Sequence, residues 1–457
     1  MAITVKWQGH STSTTARLVV RSDANGVLTA TCDGQTFTGS TISTASNDGI
    51  GIVDISGLLP GTSYAYTVSV GGSSASGTLK TMPTTAPFKV GFMSCMTKLK
   101  TVDALVQSLI EEGVAAVVHQ GDYIYCSENV SSWWNETSAV PTTGSAASVY
   151  MAHFRQVHRQ SHIRLLDAYC PQYFQGDDHE VGGDNWDHSV TQAQVSPNVA
   201  SGGTQAEVDA SWWAANQAMI AYYQGNPTNN DAGIHASTDK PANAAGGTPA
   251  AQYPPKYFRF MIGNAEFFVL DTMSYRSILT ATDNASKTML GATQKQWLKD
   301  RLSASTATFK IICSPKMTLQ QTSVSDGWDI YSTERTELLT YCRDNVSSKG
   351  VFWVCGDNHA PTVSRDAVLE HSAICANPAG VDHLSQSSGY SSGVVYKYTG
   401  QAGGTPTRSV EVAGLLEFYD DELVVRIIDP LGRNLYRGVM PAGSNLLSQS
   451  GKSISVS

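Results

Sequence analysis

The apolar run Val114-Ala115-Ala116-Val117-Val118 is followed almost at once by Gly121-Asp122-Tyr123-Ile124-Tyr125. A short, unbroken apolar stretch of this kind reads as a buried strand of a sheet covered on both faces. Asp122 and Tyr125 then project from the strand's C-terminal end, the edge at which open α/β sheets place ligands and chemistry. Gly121 permits a tight turn, so a carboxylate and a phenol three residues apart make a candidate metal-binding corner.

Three further clusters fall in comparable settings. Ser94-Cys95 ends the apolar segment 88–93, and Gly356-Asp357-Asn358-His359 follows the apolar segment 351–355. Gly176-Asp177-Asp178-His179-Glu180-Val181 lies in a polar stretch and is followed by Asp184-Asn185-Trp186. Singly, each has a plain explanation as a turn, a buried thiol or a solvated acidic loop. Their coincidence at strand ends favours a shared site, in which oxygen donors, one imidazole and one thiolate ligate two or more metals of different character. In Asp357-x-His359 both side chains lie on one side of an extended segment, because side-chain direction repeats every two residues.

The pattern along the chain divides it in two. Residues 1–86 carry alternating segments such as 16–20 and 63–70, broken by Asp33-Gly34 and Gly71-Gly72 turns, which predicts a small all-β module. Leu59-Pro60-Gly61-Thr62-Ser63-Tyr64 resembles the tyrosine corner of fibronectin-type-III-like sandwiches. A polar, Pro-bearing linker at 81–87 closes this module. From there to residue 457 strands alternate with helices. Strands are predicted at 88–93, from 115, and at 257–261, 266–270, 309–313 and 351–355, with a hairpin of 413–419 and 422–428. Helices are predicted at 102–112, capped by Thr101 and stopped by Gly113, and at 147–168, 206–223, 293–302 and 333–345. Residues 225–255, rich in Asn, Gly, Ala and Pro, read as a long surface excursion.

Composition narrows the function. A formal net charge of -9 argues against nonspecific nucleic-acid binding, which needs a basic footprint. No apolar run approaches the roughly 20 residues of a membrane span. The first residues, Met1 to Trp7, have neither a basic segment nor an apolar core, so no signal peptide is expected in this chain. Eight scattered cysteines without a CxxC pair form neither a disulfide framework nor a zinc ribbon, and Cys313 and Cys355 read as buried structural thiols.

The order Ser-Cys, Gly-Asp-Tyr-Ile-Tyr, Asp-Asp-His-Glu-Val, Gly-Asp-x-His resembles the alkaline phosphatase D (PhoD-like) branch of the calcineurin-like metallophosphatases. Leu270-Asp271-Thr272-Met273-Ser274-Tyr275-Arg276, Leu290-Gly291 through Trp297-Leu298, and Asp326-Gly327-Trp328-Asp329-Ile330-Tyr331 are similar to three more family segments. The resemblance implies a four-layer α/β/β/α metallophosphatase sandwich over residues 87–457, preceded by the β-sandwich of 1–86. It also implies a phosphoesterase acting on small-molecule or polymeric phosphate mono- or diesters, with iron(III) (Fe3+) and calcium (Ca2+) as cofactors. Cys95, Asp122, Tyr125 and His359 would hold the iron, Asp122 would bridge to a second metal, and Asn185 and Asp357 would be further ligands. Asp178 matches a metal-binding position and His179 a phosphate-facing one. Metals in such a site lower the pKa of bound water and neutralise phosphoryl oxygens. His179 would stabilise those oxygens or protonate the leaving alkoxide, and Arg276 would clamp a phosphoryl oxygen or form a structural ion pair.

The chain departs from the family pattern at Cys126, where an acid is usual, at Asp184, where an Asn is usual, and at Met273 and Ile330. Family members are usually exported, which the N-terminus here does not echo. Two alternatives remain open at this level. One keeps the enzyme with zinc (Zn2+) or manganese (Mn2+). The other is a non-catalytic protein whose β-sandwich engages a polymer or partner.

Overall fold

A computed structural model of the chain describes residues 3–96, 102–126, 147–183, 185–187, 204–227, 256–318, 326–357, 361–375, 394–397 and 411–448. The fold is a mixed α/β arrangement with four sheets among these residues. The predicted strands form at Phe88–Met93, Ala116–His119, Phe258–Ile262, Ala265–Val269, Phe309–Ser314 and Val351–Cys355. The predicted helices form at Asp103–Glu111, Gln205–Tyr222, Gly291–Ala304 and Ser332–Asn345, and the late hairpin at Ala413–Phe418 and Glu422–Ile428.

One helix differs from expectation. The segment predicted as 147–168 is two helices, Ala147–Val157 and Ser161–Tyr169, broken at a turn closed by Arg159 N–H to Gln156 O and Gln160 N–H to Val157 O. The polar run His158-Arg159-Gln160 interrupts the apolar periodicity there. The break lets the buried His158 ring stack on Trp7 with centroids 4.4 Å apart. Thr101, the expected cap of the first helix, lies outside the described residues, and Val102 stands at the cap position. Residues 228–255, the greater part of the expected excursion, also lie outside them.

Two large sheets organise the rest. One has six strands, in the order Gln172–Phe174, Ala116–His119, Phe88–Met93, Ala413–Phe418, Glu422–Ile428, Asn434–Pro441. The other has seven, with Ala265–Val269, Phe309–Ser314, Val351–Cys355 and His371–Cys375 running parallel through its middle. Val90, Phe92 and Val118 of the first sheet share a buried cluster with Phe267, Val269, Ile311 and Phe352 of the second. Alternate residues face away. Met93, Val117 and Leu415 pack with Leu105, Phe154 and Leu166 of helices, while Phe268, Ile312 and Trp353 pack with Trp297, Leu298 and Leu338 of others. This two-sided burial is why the strands read as unbroken apolar runs.

Residues before the linker form a three-stranded and a four-stranded antiparallel sheet around Leu18, Val20, Leu28, Ala30, Val53 and Val68. Tyr64 Oη accepts a hydrogen bond from Leu59 N–H at 2.8 Å, as the corner motif predicts. Trp7 does not join that cluster. It is fully buried among the helices instead, so the first strand contributes to the larger core. No helix among the described residues is long and apolar enough to cross a membrane.

The parallel strands end level. Met93 is paired with His119 and His119 with Phe174 in one sheet, and Ser314 with Cys355 in the other. The two sets of ends are tied together by the Gln175 amide, whose Nε2 donates to Leu270 O at 3.1 Å and Cys313 O at 2.7 Å. They approach so closely that a Cβ at Gly356 would lie 2.3 Å from Gln120 O and 2.9 Å from Pro315 O. Both neighbours are backbone and cannot swing aside. Gly356→Ala is therefore expected to cost roughly 1–3 kcal/mol, read as a lower urea midpoint. An unchanged midpoint would show that the two edges can separate freely.

Candidate metal centre

The site lies where these strand ends meet. Cys95 follows Phe88–Met93, Asp122 follows Ala116–His119, Asp177 and Asp178 follow Gln172–Phe174, and Asp357 follows Val351–Cys355. Cys95, Asp122, Asn185 and Asp357 all have left-handed backbone, with φ of 52°, 52°, 60° and 65°. Only nine non-glycine residues among those described have positive φ, and four are sequence-predicted ligands. Each such residue costs roughly 1–3 kcal/mol and persists only where its surroundings dictate the conformation. That concentration marks the cluster as built for placement of side chains rather than for stability.

The device that imposes it is the carboxylate of Glu180, which is fully buried. Its Oε1 accepts from Tyr123 N–H at 2.6 Å and Ile124 N–H at 3.3 Å, and its Oε2 from Asp122 N–H at 3.1 Å and Asp177 N–H at 2.7 Å. Burial raises the Glu180 carboxyl to about 7 despite these backbone donors, which favour the charged form. Gly121, at φ 84°, completes the turn, since a Cβ there would lie 2.6 Å from Asp177 Cβ. Cys126 closes the motif from the other side, donating its N–H to His179 O at 3.2 Å and its Sγ–H to Gly182 O at 3.4 Å. The thiol packs in the helix-facing core, so packing takes the place of the usual acid.

Two overlapping sets of donor atoms result. Asp122, Asp178 and His179 form one, and Asp122, Asp177, Asp178 and Asp357 the other, with the donor atoms of each set all within 4.8 Å of one another. Tyr125 Oη donates to Asp122 Oδ2 at 3.4 Å, and its ring stacks on His179 with centroids 4.1 Å apart. Asn185 presents its backbone N–H to Asp178 Oδ2 at 2.7 Å. Cys95 is buried next to Asp122 and Asp357 but belongs to neither set, and its Sγ lies 3.6 Å from Ser94 Oγ. His359 lies outside the described residues.

The electrostatics call for cations. Burial pushes Asp122 and Asp177 well above the ordinary carboxyl range, and the positive charges of His179 and Lys316 offset this only in part. Burial acts on Asp178 in the same sense, yet Lys316, His179 and Arg276 together hold it below its ordinary value. The Cys95 thiol is pushed far up by burial and by the neighbouring carboxylates, so its thiolate would need a bound cation. Asp122 Oδ1 and Asp178 Oδ1 are buried and accept no hydrogen bond among the described residues. Unpaired buried carboxylate oxygens are costly, and a metal ion satisfies them. Carboxylates with an imidazole, a phenol and a thiol fit a hard or borderline cation.

Sequence reading missed two members. Lys316, just past the strand Phe309–Ser314, is fully buried with Nζ 3.1 Å from Asp177, 3.4 Å from Asp178, 2.7 Å from Asp326 and 2.9 Å from Asp357. Asp326 in turn pairs with Arg276 at 2.9 Å, and the other Arg276 Nη donates to Trp186 O. A polar residue just past an apolar strand was the signal that singled out Asp122, and Lys316 carries the same one. Asp177 was noticed but not assigned a role.

A buried, multi-carboxylate centre at the carboxyl ends of parallel strands in a mixed α/β fold defines a class of proteins with a candidate metal centre. The comparisons with known proteins make that class particular. Residues 90–382 match the family model described as PhoD-like phosphatase, and the chain belongs to that family. It is 26% identical over 340 residues to alkaline phosphatase D of Bacillus subtilis (strain 168), a match covering 68% of this chain and 53% of that protein. The chain thus spans about half the length of that curated relative. The solved structure titled "Structure of PhoD" superposes with a TM-score of 0.73 over 99% of this chain and 92% of that one, at 18% identity, which establishes a common fold.

Glu180→Ala removes one acceptor shared by four backbone donors and is expected to cost about 2–4 kcal/mol. Urea unfolding measures this. Stability unchanged from wild type would mean that the turn carrying Asp122 is held by other contacts.

Proposed function

We propose that this chain is a metal-dependent phosphoesterase of the alkaline phosphatase D kind, hydrolysing phosphate monoesters, diesters or both. The observation that carries the reading is the pair of donor sets sharing Asp122 and Asp178, with buried carboxylate oxygens that accept no hydrogen bond. The family of the chain and the name of its Bacillus relative favour the same chemistry.

In this reading Cys95, Asp122, Tyr125 and His359 would hold an iron(III) ion, Asp122, Asp178 and Asn185 would be available to calcium, and Asp357 is paired with Lys316. When bound, such ions lower the pKa of water and neutralise phosphoryl oxygens as charge develops on them. The chain's own groups do the rest. His179, braced face to face by Tyr125, holds its ring toward the cluster and supplies a hydrogen bond to a phosphoryl oxygen or a proton to the leaving alkoxide. Both Arg276 Nη atoms are engaged, one by Asp326 and the other by the Trp186 carbonyl, so Arg276 acts by positioning Asp326 rather than by clamping phosphate. We assign residues 87–457 to an α/β/β/α phosphatase unit and 1–86 to a β-sandwich that braces it through Trp7.

The test uses protein purified without chelators. It should contain iron, absorb visible light through tyrosinate or thiolate charge transfer, and hydrolyse 4-nitrophenyl phosphate or its bis ester. Asp122→Asn should lower kcat/KM roughly a thousandfold, about 4 kcal/mol of transition-state stabilisation. Metal-loaded protein that cleaves neither ester would leave the non-catalytic reading in its place.

A further inference from the structure

Lys316 has no place in the ligand scheme above, yet it occupies part of it. Its Nζ touches three of the four carboxylates of the larger donor set, Asp177, Asp178 and Asp357, and also Asp326. An ammonium has three N–H donors. Four carboxylates lie within 3.4 Å, one more than it has donors, so they enclose its charge as well as accepting its hydrogen bonds, Asp357 Oδ1 at 2.9 Å among the acceptors. The side chain has no solvent exposure, a setting that Lys tolerates only when its charge is paired.

Its placement is rigid. Lys316 sits two residues beyond Ser314, the end of a buried strand, and Ser314 Oγ–H donates to Lys316 O at 2.7 Å. Asp326, its shortest contact, is held by Arg276, itself fully buried. The smaller set, Asp122, Asp178 and His179, has no member within contact of Lys316 other than Asp178. The two donor sets are therefore unequal: only Asp178 of the smaller is in contact with the ammonium, whereas three of the four members of the larger are.

We infer that the Lys316 ammonium is the resident cation of the larger donor set, so that this chain supplies covalently one of the positive charges its carboxylates call for. The inference rests on the metal-centre reading of the smaller set. A divalent ion placed between Asp177 and Asp357, the two carboxylates that belong to the larger set alone, would lie against the ammonium that both already contact, and their mutual repulsion in a buried site is large. Removing the ammonium should then open one further divalent site.

The experiment counts metals per chain after dialysis against calcium, by elemental analysis, in wild type, Lys316→Met and Lys316→Arg. The expected result is one additional calcium ion in Lys316→Met, and a thermal midpoint that rises with calcium more steeply than that of wild type. Lys316→Arg keeps the charge and should keep the wild-type count. Should Lys316→Met fail to fold, Lys316→Met combined with Asp326→Asn removes one charge of each sign and should show the same additional ion. An equal, non-zero count in wild type and the Met variants overturns the inference and leaves the metal centre standing. A count of zero throughout overturns both.

Discussion

Everything at the metal centre depends on one buried carboxylate, that of Glu180, serving four backbone N–H groups at once. Three of those donors belong to the turn after Ala116–His119, and the fourth to Asp177 of the neighbouring strand end. A left-handed Asp122 is unfavourable in isolation, because its Cβ crowds the backbone. With a charged acceptor drawing in the N–H groups of residues 122, 123 and 124 together, that conformation becomes the one in which no buried donor is left unpaired. Glu180 thus converts hydrogen-bond satisfaction into side-chain aim, and sends Asp122 and Tyr125 toward the cluster.

Charge is the second constraint. Asp122, Asp177, Asp178, Asp326 and Asp357 come together with Lys316, Arg276 and His179 as the facing positive or protonatable groups. A buried group with more acids than bases is unfavourable until cations are supplied. Lys316 and Arg276 bring two of them from the second sheet and its loops, where Asp326 links the pair. The fold is therefore partly balanced before any ion binds. This reconciles a charge-rich interior with a chain whose overall content of charged residues is only 15%.

The strands and their C-terminal chemistry were legible because burial on both faces leaves unbroken apolar runs, against which Cys95, Asp122 and Asp357 stand out. Asp178 and His179 were legible as a dense polar cluster. The helix break at His158 was not, since neither Pro nor Gly marks it and the ring on which the freed His158 stacks, Trp7, is distant in sequence. Nor was the network of Lys316, because nothing local in Ser314-Pro315-Lys316-Met317 says that four carboxylates from three other segments converge on it. The conformations of Asp122 and Asn185 were likewise out of reach: φ is set by tertiary hydrogen bonds, and Asp tolerates several basins.

Strand register explains why these segments can meet at all. Met93, His119 and Phe174 stand level in one sheet, so Cys95, Asp122 and Asp177 leave it two to three residues later at one height. Ser314 and Cys355 stand level in the other, so Lys316 and Asp357 leave it together two residues later. The apolar cluster between the sheets sets their separation, near 10 Å for face-packed sheets. Acids from both sheets, Asp122, Asp177 and Asp178 from one and Asp357 from the other, thus converge with Lys316 where the two sets of strand ends meet. A one-residue slip in either ladder would turn the strand's side chains to the opposite face and displace the cation from its carboxylates together.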